Sequence, residues 1–174
     1  IRTVRLPAAA YLAIVAATNY KQRVRKMLEY HHADRLHYAV TGTPNRLEYD
    51  QGFFVKGGDG LADVKPIAHL YKSQVYMLAD HLGVPKAITD RPPTTDTYSL
   101  PQSQEEFYFS LPAAAMDLVL FFYNSGRSAA EAAKELGLTP AQMERAYKDL
   151  EQKRSTTRYL HEPPLLVDSV PLPH

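Results

Sequence analysis

Apolar and polar positions in the first part of the chain follow a helical pattern and then an extended one. Residues 1–16 are apolar and rich in alanine, and they predict a connecting segment with weak structural preference. A helix is predicted from Thr18 or Asn19 to about Asp34, because either residue can cap it and the following apolar positions recur at helical spacing. Residues 36–41 form a short β-prone run that ends at a glycine. This order is typical of a parallel α/β sheet, whose functional loops lie at the carboxyl ends of its strands.

The middle of the chain alternates short apolar runs with glycine and proline. Residues 45–51 predict a short helix that ends at Gly52, and the glycine-rich residues 57–60 predict a tight turn or a hairpin-like loop. A further helix is predicted over Lys72–His81, closed by a glycine and a proline. Residues 90–104 contain three prolines among polar side chains, and they predict an ordered loop or a mobile lid.

The last third of the chain has a helical pattern. One helix is predicted from Pro112 to Tyr123, a second is capped by Ser128, and a third starts at Thr139. Prolines after these helices indicate an extended tail. We therefore expect a single domain of residues 1–174 in three parts: a region with the candidate site residues (1–111), a helical region (112–160) and the tail (161–174).

Composition places the chain among ordinary globular proteins. It has 174 residues, of which 45% are hydrophobic and 22% charged. No apolar run approaches the ~20 residues of a membrane span, and no signal segment opens the chain, so we expect no membrane partner. The absence of cysteine excludes a disulfide scaffold, a thiolate zinc site and a cysteine nucleophile. It also fits a reducing compartment, and the expected location is the cytoplasm.

The net charge of +1 hides an asymmetry along the chain. Residues 1–46 hold eight basic and two acidic side chains, a balance of +6, whereas the remaining residues hold twelve basic and seventeen acidic ones, a balance of −5. Positive charge of this kind suits a partner that carries phosphate, although a solvated helix face would have the same pattern.

The densest group of chemically capable residues follows the predicted strand. The Thr43 hydroxyl and nearby backbone N–H groups can approach a nucleotide closely, and Glu48 supplies a hard oxygen ligand of the kind that magnesium prefers. Lys56 offers a point charge to a phosphate or carboxylate, and Asp63 accepts a hydrogen bond from an amine or hydroxyl. Spacing alone favours the simpler alternative, in which the segment between Lys56 and Asp63 is only a turn and these two residues are a solvated pair.

Asn19 and Arg23 lie four residues apart and share a face of the first predicted helix. Near a helix N-terminus, which favours anions, they can hold a phosphate. The alternative, favoured by the pattern alone, is a helix cap followed by a surface arginine.

A second kind of signal lies in residues 127–154. A helix, a glycine turn and a second helix are typical of the DNA-binding helix-turn-helix. These residues carry six basic and five acidic side chains, a poor match to a polyanion. The pattern therefore favours a helical hairpin for packing or oligomerisation, with DNA binding as the alternative and no nucleic-acid partner expected.

Several motifs together carry more information than each one alone. In chain order they are Asn19–Arg25, Gly42–Glu48, Gly52–Gly60, Ala62–Asp63 and Pro92–Asp96. On these motifs the chain resembles the ammonia-dependent NAD synthetases over about residues 11–160. The resemblance implies the adenine nucleotide alpha-hydrolase-like fold, which is an α/β fold with a parallel sheet flanked by helices, here without its N-terminal strands and with a C-terminal helical segment. It also implies a homodimer.

The same resemblance implies a reaction. With ATP and Mg²⁺, the family adenylates the nicotinate carboxylate of deamido-NAD and releases pyrophosphate; ammonia then displaces AMP and gives NAD. A carboxylate is a poor acyl acceptor until its oxygen becomes part of a good leaving group, so positioning and charge neutralisation supply most of the acceleration. The alternative within enzymes is another amidotransferring ATP pyrophosphatase.

Matched residue by residue, the resemblance assigns roles to nine positions. The implied ATP contacts are Thr43, Lys72 and Thr94, and the implied magnesium ligand is Glu48. The implied deamido-NAD contacts are Asn19, Arg23, Lys56, Asp63 and Lys153, with Lys56 and Asp63 near the reacting end as the catalytic pair.

The chain departs from the family pattern at three places. The Ser-Gly-Gly-x-Asp-Ser run that grips the ATP phosphates does not occur in it, nor does that run's magnesium-binding aspartate. We therefore expect the chain to be the C-terminal part of a synthetase that does not catalyse adenylation alone. Gln152 stands where the family has the histidine of a His-Lys pair, and residues 95–101 differ from the commoner acidic loop, which indicates a divergent subgroup.

Overall fold

The computed structural model describes residues 5–94, 104, 108–109 and 111–171, and within these ranges the regular structure is helical. The helices are α1 (Ala8–Leu36), α2 (Arg46–Gln51), α3 (Lys72–His81), α4 (Lys86–Thr89), α5 (Ala113–Asn124), α6 (Ala129–Leu136) and α7 (Pro140–Thr157), followed by a 3₁₀ turn (Arg158–Leu160). The predicted helices after Pro112, Ser128 and Thr139 and the predicted helices 45–51 and 72–81 are confirmed. No helix in the described ranges is long and apolar enough to cross a membrane.

Helix α1 begins ten residues before the predicted start. Pro7 precedes it in an extended conformation, and the alanine-rich segment that follows has high helix propensity, so residues 8–16 continue the helix instead of forming a connecting segment. Thr18 and Asn19 therefore lie inside α1, where the Thr18 hydroxyl donates to the Ile14 carbonyl at 2.9 Å. The predicted cap at Thr18 or Asn19 is wrong, and with it the idea of a helix N-terminus beside Arg23.

The predicted parallel sheet is not formed by the described residues. The β-prone run 36–41 begins inside α1 and contributes one parallel bridge, between Thr41 and Val64. The Gly42 N–H donates to the Val64 carbonyl at 2.8 Å, and the Asp63 N–H donates to the Val40 carbonyl at 2.9 Å. A strand pair extends only where successive residues find partners on a neighbouring strand, and in the described residues the pairing stops after this bridge.

The predicted turn at residues 57–60 is confirmed, but no strands flank it in the described residues. The Gly58 and Gly60 N–H groups both donate to the Val55 carbonyl, at 2.9 and 3.1 Å. Glycine is required at position 60, because a Cβ there would lie 2.2 Å from the Phe54 ring. The hairpin-like alternative is therefore wrong, and the segment folds back on itself as a compact turn.

The hydrophobic core lies where α2 meets the C-terminal helices. Its fully buried members include Leu47 of α2, Met116 and Leu120 of α5, and Met143 and Leu150 of α7. The helical hairpin α6–α7 buries its inner face in this core, which agrees with the packing interpretation of residues 127–154.

Side-chain caps begin both helices of the hairpin α6–α7. The Glu131 N–H donates to the Ser128 hydroxyl, and the Glu131 carboxylate accepts from the Ser128 N–H at 3.0 Å. Replacing Ser128 by alanine removes this cap and should lower the free energy of unfolding by ~1 kcal/mol. Urea unfolding followed by circular dichroism measures the loss. Ser155→Ala, an exposed change inside α7, is the control and should cost much less; equal stability of the two variants contradicts the capping role.

Candidate functional site

The larger cavity, here called the main cavity, has a volume of about 760 Å³ and lies between α1, the loop before α2 and the segment 52–55. Four of the predicted site residues line it: Asn19, Thr43, Glu48 and Thr94. A volume of several hundred Å³ with a few converging polar groups is typical of small-molecule sites. The structure thus brings two of the three implied ATP contacts together with the implied magnesium ligand.

A second cavity of about 240 Å³ adjoins the first. Among the predicted site residues, Asn19, Arg23 and Lys56 line it, and Tyr159 and Leu160 form its wall on the side of the C-terminal tail. Asn19, Phe54 and Val55 line both cavities, so the two spaces share a wall.

Glu48 is fixed by the start of α2. The Asn45 side chain accepts from the Glu48 N–H at 3.1 Å, and Glu48 Oε2 accepts from the Asn45 N–H at 3.0 Å, so the two residues form a capping box. Glu48 Oε1 accepts from the Lys72 ammonium at 3.3 Å and from the Gln104 amide at 3.4 Å. Lys72 also donates to Gln104 Oε1 at 2.9 Å. Lys72 does not line the main cavity, but its ammonium bonds to Glu48 and Gln104, which both line it.

The acidic and histidine side chains near Glu48 show what kind of magnesium site the described residues could form. In those residues there is no group of three histidine, aspartate or glutamate side chains arranged to hold a metal ion. Magnesium in nucleotide sites is held by one or two carboxylates, with phosphate oxygens and water completing its shell. Glu48 lies on the cavity wall and fits a magnesium ion that binds together with a nucleotide. The metal would replace the Lys72 ammonium at one oxygen of the Glu48 carboxylate.

Lys56 and Arg23 are joined through the backbone of the turn. The Arg23 guanidinium Nε donates to the Lys56 carbonyl at 3.2 Å. The Lys56 ammonium donates to the backbone carbonyls of Tyr159, at 2.7 Å, and Glu162, at 3.1 Å. Lys56 and Asp63 are both exposed, as the alternative of a solvated pair expects, but the described contacts of each are with other groups.

Asp63 and Lys153 line neither of the two cavities. Asp63 accepts from the Val40 N–H at 2.7 Å and from the Tyr30 hydroxyl at 3.2 Å, beside the bridge between Thr41 and Val64. Loss of water and the neighbouring Asp63 raise the pKa of the Tyr30 hydroxyl. The roles of Asp63 and Lys153 toward a dinucleotide stay predictions.

Lys153 is held by its own helix and by a stacked aromatic pair. Its ammonium donates to the Tyr108 carbonyl and to the Asp149 carboxylate, both at 2.7 Å, and it lies 4.6 Å from the centre of the Tyr108 ring. Phe53 stacks on the same ring at 4.6 Å. Lys153 therefore connects α7 to the aromatic side of the main cavity, which Phe53 and Tyr108 line.

Polar residues without a predicted role also line the main cavity, among them Asp59 and Tyr108. Burial raises the pKa of the Asp59 carboxyl, while the N–H groups it accepts from act in the opposite direction. Burial raises the pKa of Tyr108 to about 12, with Asp149 adding to the effect, and the Tyr108 hydroxyl donates to the Gln51 carbonyl at 2.7 Å. The Gly-Gly-Asp-Gly run was the available signal for Asp59; Tyr108 had none, because a single tyrosine after a proline-rich loop is uninformative.

Comparison with known proteins shows the family to which the chain belongs. The family described as NAD synthase matches residues 7–163. The NH(3)-dependent NAD(+) synthetase of Rhizobium meliloti (strain 1021) is 66% identical over 166 residues, which are 95% of this chain and 50% of that protein. The matches agree on one class of protein, the synthetases, which are ligases. The chain belongs to the NAD synthase family.

Solved structures show the same relationship. The NMN synthetase from Francisella tularensis superposes with a TM-score of 0.70 at 26% identity, over 92% of this chain and 63% of that one. An NH3-dependent NAD synthetase from Campylobacter jejuni shares the fold with a TM-score of 0.64 at 19% identity, over 95% of this chain and 58% of that one. The chain spans about half the length of the curated relatives it matches.

Proposed function

We propose that the full-length protein makes NAD from deamido-NAD, ATP and ammonia. The observation that carries this proposal is the pair of adjoining cavities. One offers two threonine hydroxyls and a carboxylate, and the other offers two cations, with Asn19 in the shared wall. A triphosphate with its metal fits the first set, and the acid end of a dinucleotide fits the second.

The proposed reaction has two steps. In the first, the nicotinate carboxylate oxygen attacks the α-phosphorus of ATP, the bond to the bridging oxygen breaks, and pyrophosphate leaves. In the second, neutral ammonia attacks the acyl carbon, AMP leaves with the electron pair of the broken C–O bond, and a proton is lost. Each step needs the reacting groups to be held in line and the charge on the phosphates to be neutralised.

The residues divide between these tasks. Thr43 and Thr94 offer hydroxyl donors to ATP, and Lys72 offers a charge that Glu48 and Gln104 already orient. Glu48 would hold Mg²⁺, which when bound neutralises the triphosphate.

Arg23 and Lys56 would bind the dinucleotide beside the reacting carboxylate, and Asn19 lies between the two ligands. Asp63 and Lys153 would complete the proposed set, although neither of them lines a cavity. Lys72 also lines neither cavity, but its ammonium bonds to Glu48 and Gln104, which line the main one.

The proposed function is tested by measuring the transfer of ¹⁵N from ammonium to NAD. Full-length protein with deamido-NAD, ATP, Mg²⁺ and ¹⁵N-ammonium should give ¹⁵N-labelled NAD, with one AMP and one pyrophosphate per NAD. XMP and aspartate in place of deamido-NAD should not turn over; turnover of either would favour another amidotransferring ATP pyrophosphatase. Residues 1–174 alone should form no NAD, since they contain no Ser-Gly-Gly-x-Asp-Ser run. Absence of labelled NAD with the full-length protein contradicts the proposal.

We also propose that the protein works as a homodimer. Helix α1 supports this, because it leaves large apolar side chains exposed; they include Leu12, which is 62% exposed, and Met27, which is 70% exposed. Exposed apolar groups on one element are typical of surfaces that another protein surface covers. Light scattering after gel filtration of the full-length protein gives the mass directly, and a monomer at micromolar concentration contradicts this part of the proposal.

A further inference from the structure

The chain that follows α7 returns to the second cavity. The 3₁₀ turn Arg158–Leu160 redirects it, and the His161 N–H donates to the Arg158 carbonyl at 3.0 Å. We call residues 158–162 the strap. Tyr159 and Leu160 of the strap form one wall of the second cavity.

Two carbonyl groups of the strap accept hydrogen bonds from Lys56. The ammonium donates to the Tyr159 carbonyl at 2.7 Å and to the Glu162 carbonyl at 3.1 Å, and it lies 5.8 Å from the centre of the Tyr159 ring. An ammonium group has three N–H donors, so one is left for a ligand. Because backbone carbonyls direct the other two, the orientation of the third depends on where the strap lies.

The His161 ring of the strap contacts two aromatic rings. This ring meets Tyr49 edge to face, with centres 4.8 Å apart, and meets Phe54 in the same way at 5.2 Å. Tyr49 and Phe54 stack on each other at 5.9 Å. Loss of water and the nearby Lys65 lower the pKa of His161, whereas Asp50 acts in the opposite direction, and a lowered pKa favours the neutral ring.

We propose that His161 is a positioning residue for Lys56. Its ring holds the strap against Tyr49 and Phe54, and the carbonyls of the strap hold the Lys56 ammonium at the wall of the second cavity. The part of this inference that concerns catalysis rests on the proposed function. The part that concerns the position of Lys56 does not.

The first test measures the accessibility of Lys56 and needs no activity. Full-length protein is treated briefly with acetic anhydride, and acetylation of Lys56 is measured by mass spectrometry relative to that of Lys134, an exposed lysine on α6. His161→Ala should raise the relative rate at Lys56 several-fold, and His161→Phe, which keeps an aromatic ring, should stay close to the wild-type rate. His81→Ala, at an exposed histidine on α3, is the matched control. An unchanged rate in His161→Ala overturns the proposal.

A second variant separates loss of the His161 contact from general unfolding. Tyr49→Leu removes the nearer of the two rings that His161 contacts, keeps an apolar side chain and leaves the strap sequence intact. It should raise the acetylation of Lys56 in the same direction as His161→Ala, with a far-ultraviolet circular dichroism spectrum like that of the wild type. A folded Tyr49→Leu protein with wild-type acetylation of Lys56 overturns the proposal.

The second test separates positioning from inhibition. In the ¹⁵N-ammonia assay, His161→Ala should raise the KM for deamido-NAD or lower kcat about tenfold and leave the KM for ATP within twofold, while His161→Phe retains most of the activity. Faster turnover in His161→Ala would mean that the strap blocks Lys56, which overturns the positioning role. If the wild-type protein makes no NAD, the proposed function fails, and the acetylation experiment still decides whether the strap fixes Lys56.

Discussion

Replacement of Lys56 by methionine is expected to slow NAD formation by the full-length protein about 100-fold or more, because removing one donor aimed at developing charge typically costs that much. Methionine keeps most of the apolar stem of lysine and loses all three N–H donors. The two strap carbonyls and the acid end of the dinucleotide lose their cation together. ATP binding should change by less than about twofold, since Lys56 lines the second cavity and not the main one.

Two measurements check this expectation. The ¹⁵N-ammonia assay gives kcat/KM for deamido-NAD, and calorimetry gives the affinity for ATP with Mg²⁺. Lys134→Met, at an exposed lysine on α6, is the matched control and should be close to wild type in both. Turnover of Lys56→Met equal to that of the control removes Lys56 from the reaction.

The second large effect is expected at Glu48. Glu48→Gln keeps the shape of the side chain and can still accept from the Asn45 N–H, because glutamine also serves in a capping box. It loses the negative charge that would attract Mg²⁺. Since even the loss of an outer-shell partner costs roughly 10–100-fold in metal affinity, the Mg²⁺ concentration for half-maximal activity should rise at least ~10-fold.

A magnesium titration of the ¹⁵N-ammonia assay measures the shift. Glu144→Gln, an exposed change on α7, is the control for the removal of one negative charge. Thermal unfolding of the Glu48→Gln protein shows whether the loss of the Lys72 partner disturbs the fold. If its titration curve coincides with that of the wild type, Glu48 does not hold the metal.

Local signals in the sequence predicted most helices and missed the start of the longest one. Caps such as Ser128 and Thr139 act within one turn of backbone, so their effect can be read from a few neighbouring residues. Thr18 or Asn19 was the predicted cap of α1, but a threonine inside a helix can also donate to the carbonyl four residues back, as Thr18 does here. Pro7 with the alanines behind it was the better signal for the start.

Features that depend on distant partners were predicted less well. The run 36–41 has the composition of a strand, but a strand also needs neighbours, and in the described residues its strand pairing is limited to the bridge between Thr41 and Val64. Thr43, Glu48 and Thr94, to which the resemblance assigns ATP and magnesium contacts, all line the main cavity. Nothing in the spacing could show that strap carbonyls bind Lys56, because that contact joins residues more than one hundred positions apart.

The shared wall of the two cavities has a thermodynamic consequence. Any ligand in the main cavity and any ligand in the second one can touch the same three side chains, Asn19, Phe54 and Val55. If one ligand orders these side chains, the other binds to a surface already arranged for it. By linkage, the factor by which the first occupant tightens the second must equal the factor by which the second tightens the first, so the order of addition cannot change the total free energy of forming the ternary complex.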